Sequence, residues 1–138
     1  MQGYAAYKEA QNAPMTRIDL ILTLYRKALD HLAKARAALA DHHPEGALPH
    51  FAKTQLIVLG LAAGLPGHKD EAARNFLRLY EFVAYQMVQG TLESVEAAEK
   101  VLRPLLKGFE TVREQAVSLE LQCKIPPLDR DRLVSLTV

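Results

Sequence analysis

The sequence predicts an all-α protein, an antiparallel up-and-down four-helix bundle with room for a short extra helix at its N-terminus. Two observations carry this prediction. Apolar residues recur at helical spacing along most of the chain without strand alternation, and Pro/Gly punctuation divides it into four long segments joined by short loops. Segments of about 17–28 residues with short connections favour antiparallel neighbours. With 138 residues, 49% of them hydrophobic, the chain has enough apolar material for one packed domain.

The first long helix is expected from Thr16 to about Ala40. The Thr16 hydroxyl can cap the first turn and Asp19 follows three positions on, a weaker form of the capping box. "DHHPEG" stops it at Pro44 and Gly46, and a second helix is expected from about Ala47 to Ala63, ended by "GLPGHKD". The third runs from about Asp70 to Gln89 and stops at Gly90. The fourth opens after Thr91 and continues to about Leu121, with Pro104 expected to kink it. The first fifteen residues have room for a short helix of their own. Pro126 and Pro127 end the helical region, so residues 1–124 are read as the bundle domain and 125–138 as an extended tail.

The balance of 17 basic and 16 acidic residues, net charge +1, gives no electrostatic reason to expect nucleic acid or an anionic membrane as partner. A single cysteine, Cys123, suits a reducing compartment. "MQGYAAYKEAQNAPM" lacks the charged start and apolar run of a signal peptide, and no stretch of about 18 apolar residues is available to span a membrane. The expected location is cytoplasmic.

"DLILTLYRKAL" carries more apolar residues than one core stripe requires. A helical wheel places Ile21, Tyr25, Ala28, Leu32 and Leu39 on the core side of the first helix, with Leu20 and Leu24 on its flank. The second helix has two stripes: Phe51, Thr54, Val58, Leu61 and Ala62 form one, and Leu48, Ala52, Leu56 and Leu59 the other. On the fourth, Val95, Ala98, Leu102, Leu105, Phe109, Val112 and Ala116 oppose a charged face. The surplus stripes either close on one another or under the N-terminal segment, or they form an exposed groove for a partner segment.

The order of motifs resembles the FliS family, the cytosolic chaperones of flagellin before export. "YAAY" resembles the family's N-terminal tyrosine pair, "TRIDLILTLYRKAL" its capped Leu-Ile-Leu-x-Leu-Tyr helix start, "KTQLIVLGL" its Lys-Ala-Gln-x-Ile-Ile segment, and "NFLRLYEF" its Asn-Leu-x-x-Leu-Tyr-Asp-Tyr. Together they cover most of residues 4–116. Departures are Thr16-Arg17 in place of Ser-Pro, Arg26 in place of the acid after the tyrosine, Gly90-Thr91 in place of Ala-Asn, and Phe109 where the family has a late tryptophan.

The resemblance implies a helical bundle that binds the C-terminal segment of flagellin, keeps it unpolymerised and passes it to the flagellar export apparatus. It needs no catalysis, cofactor or metal. By motif it points to Tyr4, Tyr7, Leu20, Ile21, Leu24 and Tyr80 as partner-binding residues. The helical wheel, not the family, adds Leu48, Leu56 and Leu59. Tyr25 and Phe76 are expected in the core.

"HLAK" supports a rival reading. It resembles the phosphoacceptor of histidine phosphotransfer bundles, with His31 as acceptor, although Ala35 stands where that family has glycine. No metal-ligand spacing, glycine-rich phosphate loop or nucleophile elbow is present. Beyond the bundle, Leu133, Val134, Leu136 and Val138 make the tail apolar, and "RLVSL" resembles the leucine-rich end of the flagellin peptide. The tail is thus either a flexible end or an internal occupant of the groove.

Overall fold

Helix α1 spans Arg17–Ala40, and Thr16 caps it: its hydroxyl accepts from the Asp19 N–H at 3.3 Å and donates to the Asp19 carboxylate at 2.9 Å. The computed structural model describes residues 15–67 and 70–122. Tyr4, Tyr7, the expected N-terminal helix, the division at residue 124 and the 125–138 tail lie outside the described residues.

α1 ends at a short turn in which His42 takes the left-handed conformation at φ 56°, a region that histidine enters more readily than bulkier residues. Helix α2, Pro44–Ala63, begins one turn before the expected Ala47. Pro44 opens it instead of blocking it, because a first-turn proline gives up no intrahelical hydrogen bond and has its φ already set. Helix α3, Glu71–Gln89, is capped by Asp70, whose carboxylate accepts from the N–H groups of Ala72 at 2.9 Å and Ala73 at 3.3 Å. It ends at Gly90, φ 63°, where a Cβ would be strained by that backbone and would also stand 3.6 Å from the Phe51 ring. Helix α4, Leu92–Thr111, follows the Thr91 cap, which accepts from Ser94 N–H at 3.1 Å.

The expected single helix to Leu121 is corrected at this point. α4 runs on through Pro104 and breaks at Val112, and a separate helix α5, Arg113–Leu121, follows. Thr111 and Val112 are β-branched and poor helix formers. The break also frees α5 to turn back onto the start of α1. The short extra helix of the described residues is therefore at this end of the bundle.

Consecutive helices pack side by side, and α4 closes the ring against α1. The contacts show that neighbours are antiparallel. Late in α1, His31 meets His50 early in α2. Gly90 at the end of α3 lies beside Phe51 near the start of α2, and the Gln55 amide donates to the Ala84 carbonyl at 3.2 Å. At one end of the α1–α4 pair Arg36 binds Glu99, and at the other Tyr25 packs on Phe109 with ring centroids 5.5 Å apart. Glu99 is mostly buried. Burial alone would raise its pKa, but hydrogen bonds from Arg103, at 2.7 Å, and from Arg36 outweigh this and hold the carboxyl below its usual range.

The core holds Tyr25, Ala28, Leu32, Val58, Val83, Val95 and Leu102, all fully enclosed, with Phe109 and Phe76 packed against its edge. Both stripes of α2 lie on the sides the wheel predicted: Phe51, Thr54, Val58 and Leu61 are buried and Ala62 is half-buried, while Leu48, Ala52, Leu56 and Leu59 face out. The wheel fails for α1. Leu20 and Leu24 are 4% and 1% exposed and belong to the core, whereas Ile21 is only half-buried. α1 packs against α2, α4 and α5 together, so its buried arc is wider than one stripe. That accounts for most of its surplus apolar residues. Val112, assigned to the dry face of the fourth helix, is 43% exposed because the helix breaks there.

A candidate peptide groove at one end of the bundle

The start of α1, the end of α2 and the start of α3 meet at one end of the bundle around an open cavity of ≈ 290 Å³. α1 supplies Leu20, Ile21 and Leu24 to its wall. They lie at spacings of one, three and four, which in a helix puts them on one side. Leu61 of α2 and Leu65 and Pro66 of the following loop stand across from them. Ala73, Phe76 and Tyr80, each three or four residues apart on α3, complete the lining with Phe109 of α4. Arg17 and Asp70 are the charged residues in the lining, and the Asp70 carboxylate is already engaged as the α3 cap.

An aromatic cluster backs this groove. Phe76 and Phe109 stack at 5.8 Å, Phe76 meets Tyr80 at 6.1 Å, and Tyr25 touches both Phe109 and Tyr80. The hydroxyls of Tyr25 and Tyr80 are 2.6 Å apart, one donating to the other. Burial raises the pKa of both phenols, so both keep their protons at neutral pH. These contacts fix the rings from α1, α3 and α4 into a rigid floor. Its chemistry is that of carbon surface: it can shelter apolar side chains from water and discriminate them by shape.

The structure thus brings four of the sequence-predicted residues, Leu20, Ile21, Leu24 and Tyr80, to one cavity. Leu20, Leu24 and Tyr80 present only edges to it, and Ile21 is the most open of the four. Leu48, Leu56 and Leu59 do not join them. They stand 62%, 52% and 48% exposed on the outer face of α2, and none lines the cavity. The wheel missed Leu65, Pro66 and Ala73. "GLPG" read only as a helix terminator, and its apolar Leu65 was the one signal that the turn also forms a wall. It also missed the exposed Phe82, Tyr85 and Val88 of α3.

The structure does not support the rival reading of His31. A phosphoacceptor needs an accessible ring nitrogen, but His31 is 7% exposed and its Nδ1 lies 3.0 Å from Nδ1 of His50. That pair requires one nitrogen to donate and the other to accept. Burial is the first cause lowering the His31 pKa, and His50, Lys53 and Lys34 add to it, against the pull of Asp30. A depressed histidine pKa stabilises the fold fully above the unfolded value of about 6.5, and the contribution is lost as pH falls through the folded value. The melting temperature should therefore fall as the pH is lowered below about 6.5. His31→Gln should flatten this dependence in thermal melts. An unchanged slope in the variant would show that His31 is not its source.

Among the described residues no group of three or more His, Cys, Asp or Glu side chains is placed to hold a metal ion, and no helix is long and apolar enough to cross a membrane. A family model described as "Flagellar protein FliS" matches residues 1–116. The chain belongs to the FliS family. The match covers α1 to α4 and stops within α5. FliS proteins are flagellar export chaperones, and membership implies that role here. Neither the curated proteins nor the solved structures contain a match.

Proposed function

We propose that this FliS-family protein is a cytoplasmic chaperone that seats the C-terminal segment of flagellin in the groove at the α1–α2–α3 end of its bundle. It prevents premature polymerisation and passes flagellin to the flagellar export apparatus. The observation that carries this reading is the convergence of Leu20, Ile21, Leu24 and Tyr80, all within family motifs, on one apolar cavity. Tyr4 and Tyr7, carried by the tyrosine-pair motif, belong to the same proposal. Leu48, Leu56 and Leu59 are assigned a second contact along the outer face of α2.

The physics of the task favours such a site. A segment that is disordered when free loses conformational entropy on binding, and a long apolar surface offsets that loss. A cavity of ≈ 290 Å³ holds anchoring side chains rather than a whole helix, so the remaining contact comes from open surface such as the α2 stripe. Nothing in this role requires turnover of a small molecule.

Titration calorimetry with intact flagellin should give a stoichiometric complex with a negative heat-capacity change, the mark of buried apolar area. Flagellin lacking its C-terminal segment should give no heat of binding. Equal binding of the two forms would contradict the proposal.

A further inference from the structure

Helix α5 packs on the start of α1 but is held there differently from the other helices. None of its 9 residues is buried, and Leu121 at its end is 76% exposed. Only Ala116, Val117, Leu119 and Glu120 are half-covered, on one face.

Charge fixes both ends of α5. Arg113 donates to the two carboxylate oxygens of Asp19 at 2.6 Å and 2.9 Å. Glu120 accepts the Arg17 N–H through its own two oxygens at 3.0 Å and 3.3 Å, supplying the first turn of α1 with an acceptor from 103 residues away. Between these clamps an imperfect fit leaves a cleft of ≈ 150 Å³, lined by Arg17, Ile18 and Ile21 of α1 and by Ala116 and Glu120 of α5. Arg17 and Ile21 also line the main groove. The groove and the seat of α5 are therefore adjoining parts of one surface on α1.

We infer that α5 is a displaceable strap: the segment that enters the groove continues onto Ile18 and Ile21 and takes the place of α5. In the free chain, the Arg113–Asp19 and Glu120–Arg17 contacts keep that strip covered. The Arg113–Asp19 ion pair is exposed, so it holds weakly and is screened by salt, the Glu120 contact is a hydrogen bond to a backbone N–H, and an element with few buried contacts is the first to open. The strip suits a segment of the chemistry α5 itself has, apolar residues at helical spacing followed by a carboxylate for the Arg17 N–H. The inference rests on the proposed function for the partner's identity. The latch itself rests on the contacts of the free chain.

Hydrogen exchange on the full chain tests it. Arg113→Glu sets like charges against each other, and amides 116–121 should then exchange at least about tenfold faster while those of α2 and α3 keep their rates. Fluorescence of a hydrophobic dye should rise as Ile18 and Ile21 are uncovered. The double exchange Asp19→Arg with Arg113→Asp should restore both readouts. Glu120→Gln, a milder change, should give a smaller shift of the same sign, and it carries the comparison if Arg113→Glu unfolds the bundle. Adding the flagellin C-terminal segment to wild type should speed exchange in α5 and slow it in the first turns of α1. Unchanged exchange and dye binding in both single variants would overturn the latch. A complex in which α5 stays as protected as in the free chain would overturn displacement while leaving the proposed function intact. A chain whose variants open α5 but which binds no flagellin would keep the latch and remove the flagellin reading.

Discussion

Leu24→Glu is expected to lower stability by about 3–5 kcal/mol, because it sets an unpaired carboxylate among core side chains. For a domain of this size that corresponds to a fall of roughly 10–20 °C in melting temperature. Leu24 is 1% exposed and packs in the same core as Tyr25 and Ala28. Protonation of the new carboxyl would relieve part of the cost, so the loss should be largest at neutral pH and smaller in acid. Thermal or denaturant melts measure it. A variant that melts like wild type would mean that the start of α1 is open to water, and the packing described above would be wrong.

Ile21→Glu should produce the opposite division between folding and binding. Ile21 is half-buried and lines both the main groove and the cleft beneath α5. A carboxylate there can reach water, so the fold should lose about 1 kcal/mol, as ordinary substitutions do. The partner segment would have to bury that charge, which at a central apolar contact costs at least about 2 kcal/mol, or some thirtyfold in affinity. Calorimetric titration of flagellin into the variant checks this, with circular dichroism as the control for folding. Wild-type affinity in a folded Ile21→Glu protein would take the binding site away from this end of the bundle.

The contrast between these neighbouring residues shows where sequence reasoning held and where it failed. Some helix ends were legible because their causes are local: the Thr16 hydroxyl, the Asp70 carboxylate and the left-handed Gly90 act within a turn of their own position. Both stripes of α2 were legible because that helix buries one side and exposes the other. α1 was misread because a wheel assumes one buried stripe, and this helix packs against three partners. The β-branched Thr111 and Val112 weaken the helix locally, but the seat that α5 takes after the break includes Arg113 on Asp19, 94 residues apart. No local pattern encodes that pairing. The groove was legible only in part for a similar reason. Its α1 and α3 walls fall within motifs of the family, whereas Leu65 and Pro66 become a wall only when the loop folds across the end of the bundle.

The proposed seat of the flagellin segment is the cavity among α1, α2 and α3. Methyl NMR of the chain labelled at Ile, Leu and Val side chains, with the flagellin C-terminal segment added, tests it most directly. The methyl signals of Ile21, Leu61 and Leu65 should shift most, with smaller changes at Leu56 and Leu59 and none at Val95 in the α4 core. Shifts confined to Leu48, Leu56 and Leu59, with Ile21 and Leu65 unmoved, would contradict it.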